Sequence, residues 1–144
     1  MSQIKIRPLT DEEKKLWPSE VIVPLEEPFA DERGEIQPLV DLMMESCVLI
    51  QSRKGTVRAN HYHRTDWHFC YVLSGSIEYL HRPHGSTQKP RKVIIEKGQL
   101  FFTPPMVEHA MLFSEDTWFL VLGRNSRARP VYEADVVRIP PLKP

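Results

Sequence analysis

Thirteen prolines and six glycines interrupt this chain at short intervals, and that punctuation limits what it can fold into. Proline lacks the N–H that a helix interior needs, and glycine weakens a helix, whereas strands joined by turns tolerate both at their ends. Between the interruptions the pattern is of short strands. Ser76-Ile77-Glu78-Tyr79-Leu80-His81 alternates apolar and polar at period two. The other expected strands are 36–42, 47–52, 56–63, 67–73, 92–96, 100–103, 109–113 and 117–122, with a last one over 131–139. Turns are expected at Asp31-Glu32-Arg33-Gly34, Ser74-Gly75 and Lys97-Gly98, and a polar loop over 82–90. Short strands at roughly 8–12 residue spacing predict an all-β sandwich or barrel.

With 144 residues, no internal repeat and no linker, the chain is expected to form one domain, a barrel over 29–144. Residues 1–28 read as an extended N-terminal arm, broken by Pro8, Pro18, Pro24 and Pro28. Thr10 and Glu13 stand at capping-box spacing for one helical turn. The arm is either a loosely packed tail or a strand lent to a partner subunit. Nineteen basic and nineteen acidic residues give zero formal net charge. Nothing global then attracts nucleic acid or an anionic membrane, and neither is an expected partner. No apolar run approaches bilayer length, and the N-terminus has no signal-peptide h-region. Cys47 and Cys70 fit no CxxC spacing and read as two buried free thiols, so the expected location is cytoplasmic.

Histidines carry the chemistry. His61 and His63 flank Tyr62 in an expected strand, where residues two apart share a face. Such a strand presents two imidazoles to one point. Gly55 is followed after five residues by His61-Tyr62-His63, after four more by His68, and after six more by Gly75. Gly98 is followed after five residues by Pro104, with His109 five places beyond. On these residues the chain resembles the cupin superfamily, whose motifs read G-x5-H-x-H-x3-4-E-x6-G and G-x5-P-x-G-x2-H-x3-N. The resemblance implies a double-stranded β-helix, or jelly-roll barrel, with one divalent metal held by His61, His63, His68 and His109. It also implies a homodimer.

Three positions depart from the pattern. His68 stands for the glutamate, Met106 for the second-motif glycine and Phe113 for the terminal asparagine. Imidazole suits Zn, Cu, Fe and Ni, whereas Mg and Ca want oxygen ligands, so the expected ion is a divalent transition metal, one of Fe, Mn, Zn, Ni or Cu. Four neutral histidines would leave the ion's charge uncompensated and favour an anionic ligand. His68 either ligates or stands beside the ion as a hydrogen-bonding neighbour. Asp66 and Glu108 are candidate carboxylates for a histidine N–H, with solvated loop charges as the plainer reading. His81 and His84 read as surface histidines. Arg124, Arg127 and Arg129 read as a solvated basic face.

A second likeness is shorter. Phe29-Ala30-Asp31-Glu32-Arg33-Gly34 is similar to the D-x-R-G element of the dTDP-4-keto-6-deoxyhexose 3,5-epimerases and 3,4-ketoisomerases. Those enzymes work without metal. The likeness implies Arg33 on phosphate, with Arg58 and His61 matching the epimerases' R-G-x-H element without its glycine, and His61 and His63 as acid–base residues. Tyr62 and Trp67, adjacent to the histidines, are further candidates for contact with substrate, against plain packing. Three functions stay open: a metal-dependent dioxygenase or isomerase of a small anionic molecule, a metal-free nucleotide-sugar isomerase or epimerase, and a non-catalytic small-molecule-binding module.

Overall fold

The computed structural model describes residues 4–144. A helical turn α1 (Asp11–Lys14) leads into β1 (Ile22–Val23) and the hairpin of β2 (Phe29–Asp31) and β3 (Gly34–Ile36). The body follows as β4 (Ser46–Ser52), β5 (Val57–His63), β6 (His68–Ser74), β7 (Ser76–Pro83), β8 (Arg91–Glu96), β9 (Leu100–Thr103), β10 (Val107–Leu112) and β11 (Thr117–Gly123). A helix α2 (Arg129–Asp135) and a last strand β12 (Val136–Arg138) complete it. Two five-stranded antiparallel sheets, ordered β1-β9-β6-β11-β4 and β12-β5-β10-β7-β8, face each other.

Alternation builds the core. Ile77 and Tyr79 of β7, Val72 of β6, Phe101 of β9 and Phe119 of β11 turn inward and are buried between the sheets. Each such side chain contributes roughly 1.5–3 kcal/mol by leaving water. Their neighbours face out, which leaves Leu73 and Trp118 partly exposed. Cys70 joins the core, but Cys47 is exposed on the edge strand β4, contrary to the expectation of two buried thiols. Burial pushes the Cys70 thiol pKa upward.

The arm packs on its own barrel. Ile22 and Val23 pair with Phe101 and Leu100, and Leu9, Trp17 and Leu25 cover a second apolar cluster around Trp67, Phe69 and Phe102. Thr10 and Glu13 form the expected capping box. Arg124, read from the sequence as solvated, is buried and clasps the arm. Its guanidinium donates to Glu13 Oε1 at 2.6 Å and Oε2 at 3.0 Å, to the Arg7 carbonyl at 2.7 Å and to the Pro8 carbonyl at 2.9 Å.

Two expected strands fall short. The stretch 36–42 is a strand only through Ile36, because Pro38 has no N–H for a ladder. The stretch 131–139 is helical through Asp135 before β12 pairs with β5. Pro130 in its first turn presets a helical φ, and Tyr132-Glu133-Ala134 lacks period-two alternation.

Candidate metal centre

A bulge in β5 sets the geometry. His109 pairs with His61 and Ala110 with Ala59, so Asn60 is an extra residue. Ala59 and Asn60 have φ of 71° and 56°, a left-handed pair that re-aims the strand. The C-terminal tail fixes this bulge. Asn60 accepts from the Ile139 N–H through its carbonyl at 3.0 Å and from the Leu142 N–H through Oδ1 at 2.9 Å.

The result brings His61 and His63 of β5 against His109 of β10. One ring nitrogen from each lies within 4.8 Å of the other two. His68 enters from β6 on the facing sheet, its ring 5.6 Å from that of His63 and 5.9 Å from that of His109. His68 forms a second such group with His63 and Asp66. The four histidines singled out in the sequence therefore share one cavity of about 60 Å³.

Hydrogen bonds orient two of the rings. His63 Nδ1 lies 3.2 Å from Asp135 Oδ2, and His109 Nδ1 lies 3.0 Å from the Val107 carbonyl. Each Nδ1 then carries the proton, which leaves the Nε2 lone pair free. Burial, with the nearby His63, His68, Arg138 and Arg127, lowers the His61 pKa to about 3. Burial also holds His109 well below the ordinary histidine range. Neutral imidazoles with converging lone pairs fit a borderline divalent ion. Asp135 resists its own burial, which would raise its pKa. Hydrogen bonds from His63, from the Thr65 side chain and backbone, and from the Asp66 backbone hold it down at about 2.

Asp135 was not among the residues that sequence spacing pointed to. It lies 72 residues from His63, in a segment read as strand. Of the two carboxylates named from the sequence, Asp66 lies 3.7 Å from His68 Nδ1. Glu108 instead binds Arg82 and His84, away from the cluster. Tyr132 and Arg127 also line the cavity. Tyr132 stands 5.5 Å from His63 and 6.4 Å from His61, ring to ring, and Arg127 stacks 3.7 Å above the Tyr132 ring.

Other candidates sit elsewhere. Tyr62 alternates to the opposite face of β5 and stacks on His84 at 4.1 Å. Trp67 is buried under the arm and donates to Glu13 Oε1 at 2.7 Å. Arg58 donates to Ser52 Oγ and the Gln51 carbonyl. Arg33 pairs with Asp31 at 2.6 Å in the exposed β2–β3 hairpin. None of these four lines the histidine cavity. Met106, in place of the family glycine, adopts φ of 61°, so the turn keeps a left-handed residue, and its N–H donates to the His63 carbonyl.

Residues 48–122 match the model of the cupin domain family. The chain is a cupin. No curated protein matches it. The fold of this cupin is similar to that of QdtA, a sugar 3,4-ketoisomerase from Thermoanaerobacterium thermosaccharolyticum in complex with TDP. The TM-score is 0.63 and the identity 19% over 78% of this chain and 83% of that one. A dTDP-4-dehydrorhamnose 3,5-epimerase from Sulfolobus tokodaii matches with TM-score 0.60 and 19% identity, over 77% and 79%. ChmJ, a 3'-monoepimerase from Streptomyces bikiniensis in complex with dTDP-quinovose, matches with TM-score 0.66 and 14% identity, over 82% and 68%. At these identities the likeness establishes the jelly-roll fold of this cupin.

Proposed function

We propose that this cupin binds one divalent transition metal through His61, His63 and His109, with His68 as a fourth ligand, and acts on a small anionic molecule. The observation that carries the reading is the convergence of three imidazoles, two of them oriented through their outer nitrogens, His63 by Asp135 and His109 by the Val107 carbonyl. Bound there, Fe, Mn, Zn, Ni or Cu would supply Lewis acidity and, for a redox-active ion, oxidation chemistry. The remaining steps belong to the chain. Arg127 supplies a positive charge at the cavity, and Tyr132 holds that guanidinium in place. Val48, Ile50, Met111 and Val121 form an apolar wall that limits water. An all-histidine set leaves the ion's charge for the ligand to balance, so a carboxylate, enolate or phosphate is the matching group.

A second reading, a metal-free nucleotide-sugar isomerase or epimerase, draws support from the likeness to ketoisomerase and epimerase folds. It would use His61 as base, His63 as its acid or partner, and Arg33 on phosphate. The likeness to known folds lends this second reading more support than the first, which rests on the converging histidines. Parallel titrations with Mn, Fe, Ni, Zn and TDP separate the two. Stoichiometric metal uptake supports the first. TDP binding with no metal uptake overturns it in favour of the second.

A further inference from the structure

A larger cavity, of about 470 Å³, opens between the β7–β8 loop and the start of β10. It shares no lining residue with the histidine cavity. His81, Arg82, Lys89 and Arg91 line it, and no carboxylate does. We propose that this cavity is a separate binding site for a phosphate-bearing small molecule.

Its charge is the first argument. Glu108 neutralises one cation from behind, through Arg82 Nε at 2.8 Å. Lys89 and Arg91 have no ion-pair partner among the described residues, so two positive charges remain uncompensated in a chain of zero net charge. A phosphomonoester dianion matches that excess, and a guanidinium fork matches its oxygens. Preorganisation is the second argument. Arg82 Nη1 donates to the Gln88 carbonyl at 3.0 Å, the Gln88 N–H donates to Ser86 Oγ at 3.1 Å, and the Ser86 N–H donates to the Pro83 carbonyl at 3.1 Å. The His84 N–H anchors the loop to the Met106 carbonyl at 2.9 Å. The loop that carries Lys89 and joins Arg82 of β7 to Arg91 of β8 is therefore braced. Burial and the charge of Arg91 lower the pKa of the half-buried His81, whose ring also lines the cavity. The volume lies within the range of small-molecule sites and holds a sugar phosphate.

Calorimetric titration with ribose 5-phosphate, inorganic phosphate and ribose tests this site in the wild type and in His61→Ala/His63→Ala, which removes the other cavity's attraction for anions. Ribose 5-phosphate is expected to bind both proteins with a Kd below about 1 mM, weakening with salt, while ribose does not bind. Lys89→Gln/Arg91→Gln, added to either protein, is expected to weaken binding at least about tenfold. Both side chains are exposed, so thermal melting should be unchanged. Inorganic phosphate binding as tightly as the sugar phosphate would assign the whole affinity to the shared anion, and tighter sugar-phosphate binding would add contacts along the cavity. Three results overturn the proposal: no binding to the wild type, binding indifferent to Lys89→Gln/Arg91→Gln, or binding that disappears in His61→Ala/His63→Ala.

Discussion

Asp135 holds its position through four contacts and in turn holds His63. An asparagine there keeps the size but loses the charge that matches a His63 N–H, and its NH2, standing for one of the two oxygens, faces either the Thr65 or the Asp66 N–H as a second donor. Asp135→Asn is expected to weaken metal binding about 10–100-fold, read by competition against a chelator, because such outer partners orient the ligand ring. Unchanged affinity would detach Asp135 from the site. Met106 makes the opposite case. Its left-handed φ of 61° costs a side-chain residue about 1 kcal/mol that glycine avoids, and its side chain is exposed. Met106→Gly is expected to raise stability by up to about 1 kcal/mol in denaturant unfolding. The same turn reached by two residue types explains why a departure from the family motif leaves the local geometry intact.

Among the elements, the arm is held by the Arg124–Glu13 clasp as well as by its apolar contacts. Burial alone would raise the Glu13 pKa, but hydrogen bonds from Arg124, Trp67 and the Thr10 backbone bring it from the ordinary carboxylate range down to about 2. A carboxylate depressed in the folded state contributes stability that is complete above its unfolded pKa. That contribution is lost as pH falls from about 4.5 toward 2. Glu13→Gln, whose carboxylate is partly screened by solvent, is expected to cost roughly 1–2 kcal/mol at pH 7 and to flatten acid unfolding in that window. An acid-unfolding profile identical to the wild type would contradict the clasp. At the β6–β7 turn, Gly75 has φ of +94°, and a Cβ there would collide with Thr117 Oγ1 and lie 2.5 Å from the Asp116 carbonyl. Gly75→Ala is expected to destabilise by about 2 kcal/mol or more, measured the same way.

At the scale of the molecule, the sheets were legible in the sequence because period-two alternation survives wherever a strand has one face in the core. Strands β4 to β11 follow that pattern to within a residue or two at most ends. Helix α2 was not legible, since Val131, Val136 and Val137 read together as one strand, whereas only Val136 and Val137 lie in one, β12. That misreading hid Tyr132 and Asp135. The four histidines were legible because three lie in two short motifs and His68 in the gap between His63 and Gly75. Arg127 was not, because no local spacing links a loop arginine to a strand 60 residues away. The arm covers its own barrel, so a homodimer would use another surface. The exposed Leu49 and Trp118 on the β4 side are among the apolar residues available, and light scattering is expected to give twice the 16.8 kDa chain mass.

The central claim is that the histidine cluster is a metal centre. Elemental analysis of the purified protein beside His61→Ala/His63→Ala tests it most directly. The structure leads us to expect about one transition-metal ion per chain in the wild type and none in the variant. A wild type that carries no metal, and takes up none after incubation with Fe, Mn, Ni and Zn, would contradict the account.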